Sequence, residues 1–202
     1  MKRLVSCFAL ALAMLASSAV VAQTTTTYRS TMSGPSEAPP NSSPGASIAT
    51  VVLDMAALTL QVSVPFIDLT APTVEAHLHC CTPEPLIGTA GVAIPFTDFP
   101  LGVRSAVYER TFNLADPSTY GAAFLAANGG TAESARTVLL AGMANFQSYL
   151  NIHTSAFPPG EIRGFNVALV PEPSTWLMLG VGLAGLGFMA RRRARPGARL
   201  QP

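Results

Sequence analysis

Alternation with a period of two constrains this chain more than any other feature. In residues 58–64, LTLQVSV, the apolar Leu60, Val62 and Val64 take turns with Thr59, Gln61 and Ser63. Successive side chains of an extended chain point to opposite faces, so this is a strand with one face in a core and one toward water. A short first strand before SGPSEAPPNSSPGAS, and residues 48–55, 73–80, 88–96, 104–112, 148–154 and 160–169, read the same way, separated by turn formers. Pro65 lacks an N–H and is expected to confine the residues after it to a sheet edge or a turn. Between 112 and 148 the pattern changes. Asp116-Pro117 is an N-cap with proline at the first helical position, and Asn128-Gly129-Gly130 stops that helix near Ala127. Thr131 caps a second helix over AESARTVLLAGM. The expected fold is mostly β: an antiparallel β-sandwich with a short helical insertion.

Both ends are addresses. Lys2 and Arg3 precede the apolar CFALALAMLASSAVV, and Val20-Val21-Ala22 offers a small-residue cleavage site, so residues 1–22 read as a signal peptide cut by signal peptidase. At the other end, Pro171-Glu172-Pro173 leads into an uncharged apolar run and then Arg191, Arg192 and Arg193. A proline-punctuated joint, a short apolar span and a basic stop describe a C-terminal transmembrane helix with its arginines on the cytoplasmic side. The division expected is a domain over 23–169, a sorting segment over 170–195 and a cytoplasmic tail over 196–202. The order of the three C-terminal parts resembles the PEP-CTERM sorting signal of Gram-negative bacteria. That resemblance implies an exosortase that cuts near Pro171-Glu172-Pro173, and a passage from a membrane anchor to the cell surface or extracellular matrix.

Removing the two addresses reverses the charge. Five arginines stand against ten carboxylates between residues 23 and 170, a formal net charge of −5, and the only lysine is Lys2. Nucleic-acid binding is excluded on that balance.

The chain's three histidines fall in two places, EAHLHCC (75–81) and NIHT (151–154). On a strand Glu75, His77 and His79 share one face, while Val74, Ala76, Leu78 and Cys80 take the core side. With Leu150 and Ile152 in the core, Asn151 and His153 turn outward, and with Ile162 buried, Glu161 and Arg163 do the same. If these strands are neighbours, His77, His79 and His153 supply three imidazoles to copper or zinc, with Glu75 as a fourth ligand or a partner that fixes a tautomer. The alternative is architectural: a polar network of the histidines, Asn151, Glu161 and Arg163 that locks the sheet. Alternation puts Cys81 on the histidine face as a candidate thiolate ligand. A vicinal disulfide with Cys80, or two free thiols, are the other readings open to this adjacent pair. No nucleophile-elbow pattern frames the hydroxyls beside His153, and nothing else points to an enzyme.

His77-Leu78-His79, Tyr149-Leu150-Asn151-Ile152-His153-Thr154 and Pro159-Gly160-Glu161-Ile162-Arg163-Gly164, in that order, resemble the CHRD domain, over about residues 28 to 169. The resemblance implies a β-rich extracellular module, and the function expected of this chain is a non-enzymatic surface or matrix module that binds a metal or a partner. The competing expectation is a copper- or zinc-dependent redox protein built on His77, His79 and His153.

Overall fold

The structure is a computed structural model and describes residues 25–169 and 175–193. The expected signal peptide (1–22), Pro171, Glu172, Pro173 and the tail 196–202 lie outside the described residues. The strands are β1 (Thr25–Ser33), β2 (Ala46–Asp54), β3 (Thr59–Ile67), β4 (Thr73–Cys80), β5 (Val92–Pro95), β6 (Ala106–Asn113), β7 (Ser148–Thr154), β8 (Ile162–Phe165) and β9 (Val167–Ala168). The helices are α1 (Ala122–Ala127) and α2 (Ala132–Ala144), inserted between β6 and β7, and a C-terminal α3 (Thr175–Arg193).

Instead of the two stacked sheets expected of a sandwich, the described strands form one antiparallel sheet in the order β5-β4-β7-β8-β1-β2-β3-β6, with β9 paired to β1. The two ends of that order come together across the core. Phe96, next after β5, stacks on Tyr108 and Phe112 of β6 with ring centroids 5.2 and 5.8 Å apart. The sheet therefore curls until its inner face meets itself, and Leu60, Val64, Leu78, Ile94, Leu150 and Ile152 join one fully buried cluster. Each such side chain contributes about 1.5–3 kcal/mol on leaving water. The curl satisfies the alternating pattern as well as a sandwich does, because either arrangement gives every strand one dry face.

Pro65 does not end its strand. β3 continues to Ile67 between β2 and β6, and the missing N–H shows as a gap: the β2–β3 ladder omits Ile48, Ala49, Val64 and Pro65, while Pro65 still pairs with Val107 on the other side. Val74, assigned to the core side, is 44% exposed, because a register shift between Thr73 and Glu75 turns it outward. The first expected helix is broken. Asp116 caps a 3-10 turn (Pro117–Thr119) by accepting from the Ser118 N–H, and α1 starts only after Gly121. A Cβ on Gly121 would lie 2.7 Å from the Val92 carbonyl oxygen, so the chain runs too close to β5 there for any larger residue. Thr131 caps α2 as expected, and α2 lays Ala135, Leu139 and Met143 into the core.

The expected transmembrane helix coincides with α3, but no helix among the described residues is long and apolar enough to cross a membrane. From Thr175 to Ala190, where the arginines begin, the described helix extends about 24 Å at ~1.5 Å per residue, so crossing a hydrocarbon core of ~30 Å would also need residues before Thr175.

The burial of β7 places the candidate site. All seven of its residues are buried, polar ones included. Its inner face meets the core, and its outer face is roofed by the segments around Ser36, Gly88–Ala90 and Pro158.

A three-histidine cluster on the roofed face

Glu75, His77 and His79 share the outer face of β4, and the antiparallel register with β7 sets Glu75 opposite His153, His77 opposite Asn151 and His79 opposite Tyr149. Pairing and alternation therefore bring all three histidines together. One ring nitrogen from each lies within 4.8 Å of the other two, and His77 Nδ1 is 3.3 Å from His153 Nε2.

The nitrogens that face away from the cluster are held. His79 Nδ1 lies 2.9 Å from the Ala90 carbonyl oxygen and His153 Nδ1 lies 2.8 Å from that of Pro158. A carbonyl only accepts, so each Nδ1 carries the proton and each Nε2 is left with a lone pair. His77 has two tautomers open to it: a proton on Nδ1 is donated to His153 Nε2, and a proton on Nε2, 3.5 Å from Glu75 Oε2, leaves Nδ1 open. With His77 in the second form three lone pairs converge, and in either form His79 Nε2 is buried with no hydrogen-bond partner. Burial pushes the pKa of both His77 and His79 down to about 4, and the neighbouring rings add to the effect, so both are neutral at physiological pH. Neutral imidazoles with outward N–H groups anchored on carbonyls or a carboxylate are the form in which histidine binds a metal. The cluster is reached from the Glu75 side: the side chains of Glu75 and His77 are 54% and 13% exposed.

Two further residues shape the site. Tyr149 lies flat against His79, with centroids 4.7 Å apart and planes 2° from parallel. Its hydroxyl accepts from the Ala90 N–H and donates to the Ala90 carbonyl. From the β8 side the Arg163 guanidinium sits 5.1 Å from the Tyr149 ring centroid, with Nε donating to the Ser36 carbonyl and Nη1 to that of Gly88. Arg163 Nε also lies 3.9 Å from Glu37 Oε2, to which Asn151 Nδ2 donates at 3.4 Å. Asn151 and Arg163 therefore belong to a second cluster around Glu37, beside the histidines. Tyr149 was legible from its parity with Asn151 and His153, whereas the anchoring carbonyls of Ala90 and Pro158 leave no mark in the sequence.

Two expected members are elsewhere. Cys81 forms a disulfide with Cys80, and both sulfurs pack where a Cβ on Gly142 of α2 would be, so Cys81 offers no thiolate to the histidines. Glu161 precedes β8 instead of lying in it, after Gly160 at φ +140°, and points to the opposite face, where it accepts from Ser43, Thr70 and Thr154. Arg191, Arg192 and Arg193 close α3 as backbone; their side chains lie outside what is described.

The buried ionisable groups give opposing pH trends. Between pH 6.5 and about 4 the unfolded chain binds protons on His77 and His79 that the folded, metal-free chain excludes, so stability falls as pH falls. Burial, only partly countered by Arg163, raises the Glu37 pKa from 4.5 to about 7. In that window the folded state keeps a proton the unfolded state has lost, so stability falls as pH rises. With a chelator present, Glu37→Gln is expected to steepen the rise of melting temperature between about pH 4.5 and 6.5. A variant curve parallel to wild type would return Glu37 to an ordinary carboxyl.

A family model described as the CHRD domain matches residues 28–165, and one described as the PEP-CTERM protein-sorting motif matches residues 169–193. The first runs from within β1 to the end of β8 and includes every residue of the histidine cluster. No curated protein and no solved structure matches the chain.

Proposed function

The chain belongs to the CHRD domain family, and from that premise we propose that it is a bacterial surface module that holds one copper or zinc ion through His77, His79 and His153. The sorting motif implies export and processing by an exosortase, and neither matched family is a family of enzymes. In this reading signal peptidase removes residues 1–22, and the segment 170–195 holds the protein at the membrane until it is cut near Pro171-Glu172-Pro173. The domain over 23–169 then reaches the surface or matrix of a Gram-negative cell, and 196–202 stays in the cytoplasm.

The observation that carries the metal is the proton inventory of the three rings. Both Nδ1 protons of His79 and His153 are committed to carbonyls, and His79 Nε2 is buried with no partner. An unpaired buried acceptor costs about 1–3 kcal/mol, which a cation shared by three lone pairs removes. A purely architectural network would leave that nitrogen unsatisfied. Copper and zinc both suit imidazole donors.

The test is metal analysis of the purified full chain after exposure to copper or zinc and gel filtration, beside the His77→Ala/His79→Ala variant. About one equivalent is expected in the wild type and none in the variant. A wild type that takes up neither ion, or a folded variant that keeps it, defeats the proposal.

A further inference from the structure

We infer that a metal at this centre keeps one coordination position open to an exchangeable small monodentate ligand, preferably an anion, instead of a fourth side chain. The inference rests on the three histidines being the ligands and specifies what else the site takes. Among the described residues, His77, His79 and His153 form the only group of histidine, cysteine and acidic ligand atoms close enough to hold an ion together. Cys81 and Glu75, offered by the sequence as further ligands, are otherwise placed, and so is Glu161 of the expected polar network. Cys81 is bonded to Cys80, and Glu161 accepts three hydrogen bonds on the opposite face. The Glu75 oxygens lie against the outward nitrogens, 3.5 Å from His77 Nε2 and 4.0 Å from His153 Nδ1, and not against the nitrogens that converge.

Zinc takes four ligands, and copper(II) prefers a square-planar or tetragonal set. Three side chains therefore leave at least one position to be filled from solution. Charge favours an anion there. Three neutral imidazoles leave both positive charges of a divalent ion uncancelled, with Glu75 the nearest carboxylate, and a partly desolvated site strengthens the attraction. Access is available on the side where Glu75 and His77 meet solvent, while Tyr149 and the Gly88–Ala90 segment close the side of His79.

The probe is azide, added to the full chain loaded with copper(II) and followed by visible absorption and electron paramagnetic resonance. The expected result is an azide-to-copper charge-transfer band in the wild type that saturates at one azide per copper, with a matching shift of the resonance. Copper bound in the wild type and lost in His77→Ala/His79→Ala, but with spectra indifferent to excess azide, overturns the open position and leaves the metal site standing. An azide response that appears only in Glu75→Ala overturns it too, by making Glu75 the fourth ligand. Failure to bind copper or zinc at all overturns the metal site and this inference together.

Discussion

Replacing Glu161 with alanine is expected to lower the free energy of unfolding by about 3–5 kcal/mol, because it removes the charged acceptor of three hydrogen bonds, each of about 1.5–3 kcal/mol, less what the freed hydroxyls recover. The carboxylate is fully buried, and among the described residues no cation partners it. Three donors hold it instead: Ser43 Oγ and the Thr70 N–H on Oε1, and Thr154 Oγ1 on Oε2, each at 2.5 Å. Burial alone would raise its pKa, but the three hydrogen bonds together outweigh burial and hold it below the ordinary carboxyl value, so the group stays ionised. Each donor comes from a different part of the chain: the loop before β2, the connection from β3 to β4, and the end of β7. Alanine leaves the Thr70 N–H without an acceptor, and a backbone donor cannot rotate to find another as the two hydroxyls can. Glu161→Gln keeps the shape and one acceptor, and about half the loss is expected. Urea unfolding of the three proteins measures this, and an alanine variant within ~1 kcal/mol of wild type would refute it. Because Glu161 faces away from the histidines, metal uptake per folded molecule is expected to be unchanged.

That separation of faces marks where sequence reading succeeds and where it stops. β4 and β7 take the expected bounds, 73–80 and 148–154, and although the register shift at the start of β4 breaks its alternation at Val74, alternation from Glu75 to His79 and along β7 is enough to collect His77, His79 and His153. Glu161 and Arg163 are two apart and should share a face, yet the turn at Gly160 places Glu161 ahead of the strand, where alternation no longer applies. Cys81 escapes the pattern similarly, since its bond to Cys80 draws it toward α2 at the strand's end. The curl of the sheet was hidden for another reason. Which strand each edge pairs with depends on long-range hydrogen bonds between backbones, and a sandwich and a curled single sheet bury the same side chains. Pro65 misled because its missing N–H removes pairing only on the β2 side of β3.

The anchoring carbonyls carry no sequence signal, but their positions depend on a residue that does, and this makes Arg163 the most informative substitution near the cluster. Its guanidinium ties the Ser36 and Gly88 carbonyls to β8 and lies over Tyr149. Gly88 is two residues from Ala90, whose carbonyl fixes the His79 tautomer and whose backbone also bonds the Tyr149 hydroxyl. Arg163→Ala therefore removes two hydrogen bonds from a charged donor, about 1.5–3 kcal/mol each, and loosens the roof over His79. A stability loss of about 2–4 kcal/mol is expected, since Glu37 can take up a proton once its cation is gone and so limits the damage. The consequence for binding separates Arg163 from Glu161. A ligand whose outer partner is displaced typically loses about 10–100-fold in metal affinity, and copper or zinc affinity is expected to fall by that factor in the folded variant. Arg163→Lys keeps the charge but neither the planar fork nor the stacking on Tyr149, so it should restore little of either quantity. Competition with a chelator of known affinity reads the binding, and thermal unfolding with and without metal reads the rest. Unchanged affinity alongside reduced stability would mean that the roof fastens the sheet without positioning His79.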